Sequence, residues 1–352
     1  MDREFHARGK LLLTGEYVVM QGARALACPT RRGQSMYTRS ASPGRIHWKA
    51  YTPRGEVWLQ AEWEIQDGLE GISETKSAEP SSINNITLKC VGLGKSEMAK
   101  GVARLQEWLQ HAMRMSKATN PEHFREEIRR IRSEGIAVET ILEFEREWGL
   151  GSSSSLISLL ARWWGCPAMQ LHAATQGGSG YDQACATAGG PIFYRINGES
   201  GAPDIRPAPF YPPFHEQLLF VYTGTKQSTD QSVRDYWLRQ PATDSDLQQW
   251  SECATQMASA TDLMQFMEIM HRHEQLMSEV LHRPPVQQSR FTGFPGQTKS
   301  LGAWGGDFVM AAAPEPERAH RYLGQNGYPI RFSFHELLLC PAPAAVGAKQ
   351  PV

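Results

Sequence analysis

A chain of 352 residues is longer than one small core needs and suits two domains of ordinary size. With 41% apolar and 21% charged residues it can bury a core and stay in solution, and a formal net charge of −1 argues against a general grip on nucleic-acid phosphates. Six scattered cysteines without a C-x-x-C pair exclude a zinc knuckle and read as reduced core thiols, while a charged N-terminus without a signal pattern and the lack of a bilayer-length apolar run point to a cytoplasmic protein with no membrane partner.

Taken in chain order, Gly9 to Pro29 reads as strand, tight turn and strand, with Lys10-Leu11-Leu12-Leu13 and Tyr17-Val18-Val19-Met20 on either side of Thr14-Gly15-Glu16. Trp, Tyr and Val recurring from Gln34 to Leu69 predict further strands, and polar Gly68 to Ser82, with Pro80, predicts a loop. Met98, Val102, Leu105, Leu109 and Ala112 stand at helical spacing behind Ser96 as N-cap. The charged stretch Asn120 to Ser133 reads as a solvated helix face.

Ile136 to Phe144 is β-branched and alternating, hence a strand; Gly149 to Ser155 is a loop, and Leu156 to Trp164 an apolar helix. A strand Ile192 to Ile196 follows Gly189-Gly190-Pro191, and the Pro- and Gly-rich stretch Gly198 to Pro213 marks the domain boundary, giving 1–200 and 201–352. Beyond it come a strand Leu218 to Tyr222, helices Asp244 to Ser259 and Asp262 to Leu281, and strands Gly305 to Ala313 and Pro329 to Leu339. Strands and helices mix without strict alternation, which is the signature of an α+β fold.

The strongest chemical signal is Gly149-Leu150-Gly151-Ser152-Ser153-Ser154-Ser155 between a strand and an apolar helix. Glycines let a backbone approach a ligand closely, and the unpaired N–H groups and dipole of a helix start favour an anion. Together they suit a polyphosphate, and a serine hydroxyl can reach a magnesium ion bridging the phosphates. A plain turn with a serine N-cap reads the same way. Gly94-Lys95-Ser96 imitates the end of a Walker A loop, but Lys89 stands where that motif needs glycine.

Two further constellations carry charge. Lys10 flanks the first apolar strand, where an ammonium could balance charge on a transferring phosphoryl group; a surface lysine would look alike. Asp182 follows Gly177-Gly178-Ser179-Gly180-Tyr181 and precedes a small apolar stretch, a place for a base, a magnesium ligand or simply an N-cap. Near the end, Lys299-Ser300-Leu301-Gly302-Ala303-Trp304-Gly305-Gly306-Asp307 is a second glycine loop entering a strand.

These pieces, in this order, resemble the GHMP kinase superfamily and within it the mevalonate and phosphomevalonate kinase group. Gly9 to Tyr17 is similar to the first motif, Gly149 to Ser153 to the phosphate loop, Lys299 to Asp307 to the third motif, and Ser179 to Asp182 to the mevalonate kinase segment with the catalytic aspartate. The resemblance implies a two-domain GHMP kinase fold: an N-terminal ATP-binding α+β domain with the phosphate loop and a ferredoxin-like C-terminal domain. It implies ATP and Mg2+ as cofactors. Asp182 would take or orient the proton of the acceptor hydroxyl and Lys10 would balance charge. Ser153 would bind magnesium, Gly149, Leu150, Gly151, Ser152 and Ser154 would hold the nucleotide phosphates with it, and Gly302 and Ala303 would close the site.

Three departures stand out. Trp304 replaces a usual glycine, Ser154-Ser155 replace two usual alanines, and Gln170-Leu171-His172 lacks the carboxylate that mevalonate kinases offer to magnesium. On the acceptor side, the resemblance implies Glu16 as a substrate residue, and the loop with Lys226, Ser228 and Thr229 resembles a substrate-side loop that could hold a carboxylate or phosphate. The expected reaction is phosphorylation of a small molecule, a mevalonate-type acid of isoprenoid precursor synthesis, by a monomer or homodimer that binds no nucleic acid. A decarboxylase of the same fold, a sugar kinase and a non-catalytic nucleotide sensor are the alternatives.

Overall fold

The computed structural model of the protein describes residues 2–67, 86–93, 98–198, 201–225, 236, 242–302, 304 and 306–342. Strand β1 (Arg3–Thr14) ends where Gly15 takes a left-handed φ of 89°, against Ala25. The chain then curls through a 3-10 turn, Val18–Gln21, before β2 (Ala25–Arg39). The strand expected over Tyr17–Met20 is therefore a helical turn. Val18 and Val19 are buried as expected, but four residues are too few for alternation to separate a turn from a strand.

The predicted strand-rich region contains β3 (Arg45–Tyr51) and β4 (Val57–Asp67), followed by β5 (Ile86–Leu93). The loop predicted over Gly68 to Ser82 lies outside the described residues, as does Ser96. Helix α1 (Ala99–Thr119) buries Val102, Leu105, Leu109 and Ala112 along the stripe their spacing predicted. In α2 (Pro121–Glu134), Asn120 caps the first turn by accepting from the His123 N–H, and Arg125, Glu126, Arg129 and Arg132 face solvent. Glu127 does not. It is sealed in the interior, paired with Arg3 and accepting from Trp163 Nε1 at 2.9 Å. A solvated face was the wrong reading for this one carboxylate, because a buried charge needs partners, and Arg3 and Trp163, the partners of Glu127, lie outside this stretch.

Next come β6 (Ile136–Leu142), α3 (Ser152–Trp164), α4 (Ala168–Thr175) and α5 (Tyr181–Thr187). Then follow β7 (Ile192–Ile196), β8 (Pro203–Pro207) and β9 (Leu218–Tyr222), and α6 (Asp244–Ser259), α7 (Leu263–Leu281) and α8 (Val286–Ser289). The chain closes with β10 (Gln297–Leu301), β11 (Phe308–Ala312), α9 (Pro316–Gln325), β12 (Arg331–Ser333) and α10 (Phe334–Leu337). The last predicted strand is shortened to three residues because Ser333 and Glu336 form a capping box that turns the chain into α10.

The chain packs as two units, neither continuous in sequence. The first comprises the described residues of Met1–Ala7, Gly33–Arg146 and Ser152–Gln183; the second those of Arg8–Arg32, Glu147–Gly151 and Ala184–Val352. In the first, β5, β4, β3, β6 and the Gln34–Arg39 end of β2 lie side by side, antiparallel except for the β3–β6 pair. Helix α1 packs on α2, α3 and α4 and touches β4 and β5. In the second unit, the Ala25–Ala27 end of β2 pairs with β7, and β7 with β8. A separate antiparallel sheet runs β10-β11-β9-β12, with Leu219, Val221, Phe291, Val309 and Leu323 in one core under it. All six cysteines are free thiols, and among the described residues no helix is long and apolar enough to cross a membrane.

Candidate active site

The glycine-rich loop is built around two left-handed residues, Gly149 at φ 65° and Gly151 at φ 91°, with the Leu150 side chain buried between them. A Cβ on Gly149 would collide with the Asp307 carboxylate, so glycine is required there twice over, for conformation and for space. The Leu150 carbonyl accepts from the Lys10 N–H at 2.9 Å, and a Cβ on Gly9 would strike both Leu150 O and Thr30 Oγ1. Glycine at position 9 thus lets β1 lie against the loop. Trp148, just before the loop, packs edge-on to Phe308 and Phe332 with ring centroids 6.3 and 5.1 Å away.

Helix α3 begins at Ser152, four residues earlier than the apolar run indicated, so the serines form its first turn. Ser152 and Ser153 are half-exposed, whereas Ser154 and Ser155 turn inward. Ser155 Oγ donates to Gln34 Oε1 at 2.8 Å. Of the four hydroxyls, therefore, the first two face outward. They line a cavity of about 100 Å³ whose walls include Trp48, Trp58, Trp108 and Thr140. Three of these wall residues carry a buried polar atom without a hydrogen-bond partner: Trp48 Nε1, Trp58 Nε1 and Thr140 Oγ1. Unpaired buried donors cost free energy. The Arg146 guanidinium caps the Trp58 face at 3.9 Å.

Asp182 is the second residue of α5 and half-buried, and its Oδ1 accepts from the Gln183 N–H at 3.0 Å. His172 Nε2 on α4 lies 3.7 Å from the same oxygen. Lys10 sits in β1, half-exposed.

Glu16 is not presented to solvent. It is 1% exposed, and its Oε1 receives Lys299 Nζ at 2.6 Å, with Lys299 also donating to the Ser300 carbonyl. His273 Nε2 approaches Glu16 Oε2 at 3.2 Å and the Gly15 N–H at 3.3 Å. One ring nitrogen cannot both donate to the carboxylate and accept from the amide, so its tautomer selects one of the two. Burial pushes the Glu16 carboxyl up, but Lys299 and His273 outweigh it and leave it below its ordinary value. Burial, reinforced by Lys299, lowers His273. Beside them, Glu274 accepts from the backbone N–H groups of Val286 and Ser300, both at 2.9 Å, and burial raises its pKa to about 7. Glu16 is thus the charge partner of a lysine with no access to water.

Gly302 takes a left-handed φ of 67° at the end of β10. Ala303, Lys226, Ser228 and Thr229 lie outside the described residues.

No protein-family profile and no curated protein sequence matches the chain. Solved structures do. Mevalonate kinase of L. major, in complex with R-mevalonate, is 17% identical and superposes with a TM-score of 0.61 over 97% of each chain. Phosphomevalonate kinase of Streptococcus pneumoniae, with phosphomevalonate and AMPPNP, is 14% identical with a TM-score of 0.62, over 94% of this chain and 99% of that one. Galactokinase of Lactococcus lactis, with galactose, is 12% identical with a TM-score of 0.55, over 94% of this chain and 92% of that one. This chain has the GHMP kinase fold.

Within that fold the odd residues find reasons. Trp304 is buried with Tyr17, Tyr236, Trp250 and Met277, and its N–H donates to Tyr17 Oη at 2.8 Å. The tryptophan thus pins the third glycine loop to the turn after β1. Ser155 replaces an apolar residue but spends its hydroxyl on Gln34 and on the Ser152 carbonyl. The buried quartet Glu16, Lys299, His273 and Glu274 was not legible as a unit, since its members lie up to 283 positions apart. Lys299 opening a glycine motif was the only local signal.

Proposed function

We propose that this protein is a magnesium- and ATP-dependent small-molecule kinase whose acceptor is a mevalonate-type acid. The observation that carries the reading is the start of α3, where Ser152 and Ser153 open on an aromatic cavity with unpaired polar atoms directly after two left-handed glycines. Such a helix start suits nucleotide phosphates, and the cavity suits a flat base. ATP supplies the transferable phosphoryl group. Magnesium in nucleotide sites is held largely by phosphates and water, so the Ser153 hydroxyl fits as its protein ligand even though the described residues contain no cluster of three metal-binding side chains.

In this reading the acceptor hydroxyl oxygen bonds to the γ-phosphorus as the bond to the β,γ-bridging oxygen breaks. The hydroxyl proton passes to Asp182 and ADP leaves. Lys10 offers positive charge to the transferring group. A phosphate acceptor brings no such proton. Asp182 therefore favours a hydroxyl acceptor such as mevalonate over phosphomevalonate. The carboxylate of such an acid needs a cation, and Lys226 with Ser228 and Thr229 remains the proposed site for it. We further read the protein as cytoplasmic, working as a monomer or homodimer without nucleic acid.

The test is ADP release with Mg-ATP against mevalonate, phosphomevalonate, diphosphomevalonate, homoserine and galactose, with carbon dioxide followed in parallel. Acceptor-dependent turnover with a mevalonate acid and no carbon dioxide is expected. Asp182→Asn should lower that turnover about 10²- to 10⁴-fold while ATP binding persists. ATP binding without turnover for any acceptor would overturn the kinase reading in favour of a sensor.

A further inference from the structure

His172 is a histidine without an employer in the fold. It stands on α4 with only 4% exposure, and neither ring nitrogen has a hydrogen-bond partner. A buried imidazole left unpaired costs free energy comparable to a lost hydrogen bond, so its retention calls for a partner. The nearest charge is Asp182, whose Oδ1 lies 3.7 Å from Nε2, just beyond hydrogen-bond range. Asp182 is 22% exposed, and Oδ1 is already engaged by the Gln183 N–H. A proton on Nε2 would place a second donor on the same oxygen. Two donors converging on Oδ1 would fix the carboxylate's rotation and leave Oδ2 for an incoming hydroxyl.

We propose that His172 is the positioning residue for Asp182: its Nε2–H closes on Oδ1 and orients the carboxylate that takes the acceptor's proton. The inference rests on the kinase reading for its catalytic consequence, but the contact itself does not. The Gln183 side chain, buried and also without a partner, makes no hydrogen bond to the carboxylate; only its backbone N–H does. No proton is lost or gained by the histidine in the step; it holds its N–H throughout, and the acceptor's proton ends on Asp182.

The experiment compares His172→Leu, which removes the donor, with His172→Gln, which keeps one. In the wild-type background with the best acceptor, His172→Leu should lower kcat about 10- to 100-fold, the scale of a misplaced catalytic group. The KM for ATP should stay within about twofold, and His172→Gln should recover most of the loss. In 15N-histidine-labelled protein, the His172 ring resonances should report a protonated Nε2 and move on Asp182→Asn. Unchanged kcat in His172→Leu overturns the proposal. So does an equal loss in both variants accompanied by a lowered melting temperature, which marks a merely structural histidine. Were the wild type silent toward every acceptor, the kinase reading would fail, while the ring resonances would still decide the contact: indifference to Asp182→Asn sinks it.

Discussion

Lys299 Nζ lies 2.6 Å from Glu16 Oε1 with both side chains sealed from solvent, so the third glycine motif and the turn after the first strand are joined by one buried ion pair. Removing one member of such a pair leaves an uncompensated charge in the interior. Lys299→Met should therefore destabilise the protein by about 3–5 kcal/mol in a urea or guanidinium melt. Adding Glu16→Gln to it should restore part of that loss, and the double-mutant cycle gives the coupling directly.

Glu274 next to this pair makes a pH prediction with a definite sign. Its folded pKa of about 7 lies above the ordinary 4.5, so between those values the folded state holds more protons than the unfolded one. Its contribution to stability is then full below about pH 4.5 and is lost as pH rises to about 7, amounting to about 3 kcal/mol. His273 runs the other way: lowered below 6.5, it penalises folding as pH falls. Comparing wild type with Glu274→Gln across pH 4.5–7.5 isolates the first effect, because the difference in unfolding free energy should shrink steadily with pH. A difference that stays flat would show Glu274 ionised throughout. The glutamine also turns an N–H toward Val286 or Ser300, but that cost does not vary with pH.

The local patterns were readable and the long-range partnerships were not. The spans of β7, β9 and α6 follow from periodicity and caps, and the stripe of α1 lies where its apolar spacing put it. The glycine loop was visible because two left-handed residues and a helix start leave a compositional mark. Tyr17–Met20 failed because four apolar residues bury equally well as turn or strand. The pairings of Glu127 and Glu16 were hidden for another reason. Each is a buried carboxylate whose partner, Arg3 or Lys299, is over a hundred positions away, and no window of sequence contains both. His172 could be noticed only as an expected carboxylate gone missing; that it faces Asp182 needed coordinates.

Gly149 offers a sharp local test. Alanine there must adopt a left-handed φ and push its Cβ into the Asp307 carboxylate. Gly149→Ala should weaken ATP binding at least about tenfold by calorimetry, since the loop must shift to relieve both strains. Gly189→Ala, where φ is ordinary and nothing lies within 4 Å, should bind ATP as wild type does.

Trp304 distinguishes this chain's third loop from the usual glycine, and the reverse substitution measures what it contributes. Its ring fills a cluster with Tyr17, Tyr236, Trp250 and Met277, and Tyr17 in turn stacks on Tyr236 with centroids 5.5 Å apart. Trp304→Gly empties that volume, so the cost should fall near the about 3–5 kcal/mol of large aromatic truncations. Because the Trp304 N–H to Tyr17 Oη bond depends on where the backbone is held, that bond should also loosen, seen as faster amide exchange at residue 304. Trp304→Phe, keeping an aromatic ring in the cluster, should recover most of the stability and slow the exchange again. If Trp304→Gly melts like the wild type, the cluster collapses around the gap and the tryptophan does not anchor the loop.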